Sequence, residues 1–173
     1  MPAPVATGVA LFLCWLFAAA AVHKLRSPDY YSRLVSAYLP APGIARLAVP
    51  VIALGELCVA LALLVPASRS AGFAAATAVL TGYALSMTWQ YLRGRADLAC
   101  GCSGPASTLT VGPALILRNL VCAGLAGALV FAGKGPLGLM GLALGVFLAL
   151  FMVFVYLCTD QIIANAQAMA GDV

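Results

Sequence analysis

Two cysteines separated by a single glycine occupy a polar stretch that reads Arg93-Gly94-Arg95-Ala96-Asp97-Leu98-Ala99-Cys100-Gly101-Cys102-Ser103-Gly104-Pro105. Gly101 removes the side chain that would obstruct a tight turn and lets another backbone come close. A disulfide between residues so near in sequence closes a small, strained ring. Strained and exposed disulfides are the reducible ones, suited to exchanging electrons rather than to stapling. The pair therefore points to thiol–disulfide exchange, with Cys100 and Cys102 as the redox couple. A purely structural loop disulfide and a soft-metal site stay open beside that reading. Two thiolates suit Cu(I) or Hg(II), whereas tetrahedral zinc would need two further ligands. His23 is the only histidine in the chain, and no metal site is assigned.

The surroundings favour thiolate. Gly112 and Pro113 open an apolar helix just after the cysteines, so the positive end of its dipole faces them, and Arg93, Arg95 and Arg118 add positive charge. Glu56 and Arg118 are ionisable residues set inside apolar runs. A charge there costs about 2.5–3.5 kcal/mol on insertion scales, so each is expected to face the bundle interior and find a partner. One reading joins them in a buried Glu56–Arg118 ion pair that fixes packing. Another lets Arg118 steady a thiolate or a quinone oxygen while Glu56 handles a proton, with Asn119 supplying further donors to such an oxygen. His23 ends the first apolar run as an interfacial hydrogen-bonded side chain or as a proton relay beside the cysteine loop. Snorkelling accounts for Lys24. Cys14, Cys58, Cys122 and Cys158 read as small buried hydrophobes, with Cys122 and Cys158 the candidates for a resolving thiol.

These residues must be positioned by a membrane bundle. The chain has 173 residues, 64% hydrophobic, 8% charged, with a mean hydropathy of +1.07. Soluble domains run at about 45–50% apolar and about 25% charged. The composition excludes an ordinary soluble enzyme, a disordered tail and a nucleic-acid module; the net charge of +4 sits at the ends of apolar runs, where it anchors membrane helices. Five such runs, roughly 5–22, 44–66, 71–91, 113–132 and 137–158, each approach the roughly 20 residues needed to span a bilayer. The first lacks a basic leader and is expected to be retained rather than cleaved. Between the first two, Ser27 caps and Pro28 opens a short amphipathic helix, with Tyr30, Tyr31, Leu34 and Tyr38 at helical steps and the tyrosines at headgroup level. Gly141 with Gly145, Gly72 with Ala76, and Ala123 with Gly127 are spaced for close helix packing. The expectation is an all-α polytopic bundle of about five transmembrane helices plus one interfacial helix, forming a single domain over residues 1–173.

Five spans put the termini on opposite faces. Lys24, Arg26, Arg33, Arg46, Arg93 and Arg95 then share one face, against Arg69 and Lys134 on the other. The positive-inside rule places the first face, with the cysteine loop, in the cytoplasm.

His23-Lys24-Leu25, Gly55-Glu56-Leu57, Arg93-Gly94-Arg95 leading to Cys100-Gly101-Cys102-Ser103-Gly104, and Leu117-Arg118-Asn119-Leu120 together resemble the MauE family of methylamine-utilisation membrane proteins, within the wider DoxX-like group. The resemblance runs from the first helix to the fourth and is weakest in the fifth. It implies a redox-associated protein of the bacterial inner membrane that works with a thioredoxin-fold partner of the MauD or TlpA kind. It further implies Cys100 and Cys102 as the redox pair, with His23, Lys24, Glu56 and Arg118 as the family's polar residues, and it makes a quinone a compatible acceptor. Such partners act outside the cytoplasm, against the charge count. Either the charge rule fails here or electrons cross the bundle through a second thiol such as Cys58 or Cys122. The rival functions are soft-metal transport through the Cys-x-Cys thiolates and a non-catalytic assembly role.

Overall fold

The computed structural model describes residues 3–38, 42–101, 104–105, 107–131 and 138–171. They form α1 (Ala3–Arg26), α2 (Pro28–Tyr38), α3 (Pro42–Leu64), α4 (Arg69–Leu92), α5 (Pro113–Ala128) and α6 (Leu139–Gly171). Four of these, α1, α3, α4 and α6, are long and apolar enough to cross a membrane. At 16 residues α5 rises only about 24 Å, short of a hydrocarbon core about 30 Å thick. It nevertheless runs antiparallel along α4. Near its end Gly127 faces Thr77, and Ser70 Oγ donates to Val130 O at 2.6 Å. The chain is thus the expected helical membrane bundle with one amphipathic helix, but four helices rather than five have the length and apolar character of a span, the fourth apolar run forming a shorter helix.

In lipid every backbone N–H and C=O must be satisfied within the segment, which is why these apolar runs are helical. Helix burial then sorts them. Over half of the most apolar stretch of α1 (56%) is buried, against 11% for α6, so α1 is the central helix and α6 turns most of its surface to lipid. Phe12, Leu13 and Phe17 of α1 meet Val59 and Leu63 of α3, Phe73 and Leu80 of α4, and Cys122 and Ala126 of α5. Close approach depends on the small residues. A β-carbon at Gly8 would lie 3.0 Å from Gly145 O, and one at Gly145 would lie 3.2 Å from Pro4 O, so α1 and α6 pack backbone to backbone. Gly72 touches the end of α3 in the same way, with Leu63 N 2.9 Å from where its β-carbon would be. Pro50, inside α3, is exposed on its outer surface, where its missing hydrogen bond leaves the core undisturbed.

A second, smaller core lies at the end of the bundle where α1, α4 and α6 finish and α3 and α5 begin. Leu109 and Val111, from the segment joining α4 to α5, pack on Met87, Leu115 and Ile163. Burying two such side chains contributes roughly 1.5–3 kcal/mol each and pins the segment that carries the cysteines.

Candidate functional site

The connection after α4 folds back as a narrow loop. Ala99 bridges Thr110 antiparallel, Cys100 N donates to Leu109 O at 3.0 Å, and Val111 N to Leu98 O at 2.8 Å. Two glycines make the turn possible. Gly101 and Gly104 have φ of +74° and +90°, where side chains are strained. Both are also crowded: a β-carbon at Gly101 would stand 2.5 Å from Leu34 Cδ2 of α2, and one at Gly104 would stand 3.0 Å from His23 Cε1. The loop therefore lies directly on the ring of His23 and on α2. Tyr38 Oη donates to Ala99 O at 3.2 Å, while Gln90 Nε2 donates to Tyr38 O at 3.2 Å. Cys102 lies outside the described residues.

Cys100 points into the bundle. Its Sγ is 3.8 Å from Met87 Sδ and 4.0 Å from Arg118 Nη2. Arg118 is itself held from two sides: Nη1 pairs with Asp160 Oδ1, and the guanidinium stacks 4.6 Å over the ring of Tyr156. Both partners come from α6. One helical turn deeper along α4, Tyr83 Oη donates to Glu56 Oε1 at 2.5 Å, and Lys24 Nζ contacts the two carboxylate oxygens at 2.8 and 2.9 Å. The rings of Tyr31 and Tyr83 flank the ammonium at 5.4 and 5.8 Å. Lys24 is 8% exposed and Glu56 2%.

Several sequence expectations change here. Glu56 and Arg118 do not pair with each other; Glu56 pairs with Lys24 and Arg118 with Asp160. Lys24 does not snorkel; its ammonium is buried against the Glu56 carboxylate. Tyr31 is 1% exposed, packed inward rather than at headgroup level. Of the three arginines expected to favour thiolate, Arg118 is the one described at the sulfur. Arg93 stacks 4.4 Å from the Trp89 ring, and Arg95 donates to Gln90 Oε1 at 3.3 Å. Asn119 Nδ2 donates to Leu115 O at 2.9 Å. Asp160 and Leu115 O thus each take up a donor group named for a quinone oxygen, Arg118 Nη1 and Asn119 Nδ2. Cys122 is buried in the main core and Cys58 is exposed. His23 stands beside the loop, against Gly104.

Asp160 and Gln167 were missed by the sequence reading, which ended the last span near Cys158. The signal was available. No glycine or proline interrupts residues 146–170, so α6 continues for 33 residues, about 50 Å, and overshoots the bilayer. Its final turns cross the cysteine loop, where Gln167 Nε2 donates to Thr110 O at 3.0 Å and Thr110 N donates to Gln167 Oε1 at 3.1 Å. One side-chain amide thus pairs with the loop backbone as a neighbouring strand would.

A polytopic helical membrane protein with two buried ion pairs beneath a cysteine loop is the class that fold and site define. Comparison with known proteins narrows it. The family model for methylamine utilisation protein MauE matches residues 2–132. The chain is 31% identical to the MauE of Methylophilus methylotrophus over 168 residues, covering 92% of this chain and 86% of that protein. It is 35% identical to the Paracoccus denitrificans MauE over 117 residues (67% and 63%), and 30% identical to the Paracoccus versutus MauE over 154 residues (87% and 83%). No solved structure matches it. The chain belongs to the MauE family.

Proposed function

We propose that this protein is a membrane thiol–disulfide oxidoreductase of the bacterial inner membrane, its 173 residues working as one unit with a thioredoxin-fold partner of the MauD or TlpA kind in methylamine utilisation. The observation that carries the reading is the Arg118 guanidinium 4.0 Å from Cys100 Sγ, fixed there by Asp160. A cation at that distance stabilises the thiolate, the form that attacks disulfides.

In the forward step a thiolate of the loop pair attacks the partner's disulfide. An intermolecular S–S bond forms as the partner's S–S bond breaks and one partner sulfur leaves as thiolate. The second loop cysteine gives up its proton and attacks the mixed disulfide, closing Cys100–Cys102 and releasing the partner as a dithiol. Two electrons pass from the loop to the partner, and the protons lost by the loop thiols end on the partner's sulfurs. Run in reverse, the same steps oxidise a partner dithiol at the expense of the loop disulfide. His23, against Gly104, relays protons between loop and solvent, and Glu56, held by Lys24 and Tyr83, handles a proton one turn deeper.

Co-expression of Cys102→Ser and Cys100→Ser variants with the thioredoxin-fold partner tests this. The expected product is a covalent adduct cleaved by dithiothreitol and absent from the double variant. A partner that binds equally well to the double Ser variant, with no covalent adduct from either single one, would replace the reading with a non-catalytic assembly role. The Met87 thioether 3.8 Å from Cys100 Sγ favours one second reading, capture of a soft metal such as Cu(I). Stoichiometric copper on the purified protein, lost in Met87→Leu, would support it.

A further inference from the structure

On the loop-bearing end of the bundle, α2 and the first turns of α3 enclose an open groove of about 540 Å³ lined by Asp29, Ser32, Arg33, Ser36 and Arg46. Arg33 and Arg46 approach from different helices and are both exposed, and among the described residues neither forms an ion pair. Ser32 and Ser36 lie one turn apart on α2, with Ser36 Oγ donating to Ser32 O at 2.9 Å, which leaves the Ser36 hydroxyl oxygen to act as an acceptor. Two guanidiniums against one carboxylate leave the groove with a formal charge of +1. One phosphodiester neutralises it, and guanidinium forks match phosphate oxygens in geometry as well as charge. Asp29 and the serines then suit hydroxyl groups carried by the same ligand.

The helix that brings Arg46 to the groove also carries an exposed apolar stripe. Ile44, Leu47, Val51 and Leu54 recur at three- and four-residue steps down α3 from the groove, 63%, 73%, 69% and 62% exposed. This is the outer surface of a candidate membrane span that begins at Gly43. A ligand satisfying both parts has an anionic, hydroxylated head and hydrocarbon tails. Basic pockets where helices meet the membrane surface bind such headgroups.

We infer that this groove is a binding site for an anionic phosphoglycerol lipid, its phosphate on Arg33 and Arg46 and its acyl chains along Ile44, Leu47, Val51 and Leu54. A free phosphate compound shares the head chemistry but leaves the stripe unused. The site is independent of the cysteine loop.

Native mass spectrometry of the detergent-solubilised protein, given equal amounts of dioleoyl phosphatidylglycerol and dioleoyl phosphatidylethanolamine, tests it. Phosphatidylglycerol adducts are expected to dominate and to survive a large excess of glycerol 3-phosphate. Arg33→Gln/Arg46→Gln should reduce them about tenfold. Arg33→Lys/Arg46→Lys should retain most of them, and Arg26→Gln/Arg93→Gln, which removes exposed charge elsewhere on the same end, should change nothing. Equal binding of the two lipids, undiminished binding by the Gln variant, or displacement by glycerol 3-phosphate would overturn the inference.

Discussion

Arg118 lies between a sulfur and a carboxylate, and under the proposed function that competition sets the chemistry of Cys100. While Asp160 neutralises the guanidinium, a thiolate at Cys100 gains only part of its attraction; weakening Asp160 returns charge to the sulfur. Asp160→Asn and Arg118→Gln should therefore act in opposite directions. Alkylation of Cys100 by iodoacetamide at fixed neutral pH is expected to speed up several-fold in the first and to slow about tenfold in the second, a tenfold change corresponding to ~1.4 kcal/mol. Equal slowing in both would reduce the pair to a packing device. The second ion pair is read through stability. Lys24→Met strands the Glu56 carboxylate among buried groups and should cost about 3–5 kcal/mol, whereas Lys24→Met/Glu56→Leu should recover most of it, as followed by thermal unfolding in detergent. From sequence, Glu56 and Arg118 were legible as buried charges in need of partners. Their partners were not, because Lys24 and Asp160 each sit at the end of an apolar run, where charge is ordinarily explained by the interface.

At the level of elements, the loop is defined by what presses on it. α2 and the end of α1 crowd Gly101 and Gly104, α4 supplies Met87 and Gln90, and α6 supplies Asp160 and Gln167. Gly104→Ala combines a strained φ with a contact on the His23 ring and should displace the loop, seen as faster proteolysis between α4 and α5 while the helical content is retained. Gln167→Ala removes two hydrogen bonds to Thr110 and should cost about 1–3 kcal/mol of local order. Hydrogen exchange at Cys100 and Val111 is expected to rise, with the protection of α1 unchanged. The apolar runs, the amphipathic helix from Pro28 and the packing role of Gly145 could all be read from the sequence, since each follows from local composition and spacing. The reach of α6 over the loop could not be read from hydropathy alone. Its last turns are mixed in character, and their helicity rests on the absence of a breaker and on tertiary contacts.

For the whole molecule, α1 is the hub: it carries His23 and Lys24 at one end and receives α3 and α6 along its length. The family match ends at residue 132, yet Asp160 and Gln167 from α6 complete the site, so function is expected to need the whole bundle. The central claim is that the sulfurs of Cys100 and Cys102 interconvert between dithiol and disulfide while the bundle stays folded. Its most direct test equilibrates the purified protein across a graded series of reduced and oxidised glutathione, quenches with acid, alkylates, and weighs the peptide containing both cysteines. The account predicts a single reversible transition from a doubly alkylated peptide to an unalkylated one two hydrogens lighter than the free dithiol, with identical curves from the oxidised and reduced sides. A peptide that keeps one form across the entire series would contradict it.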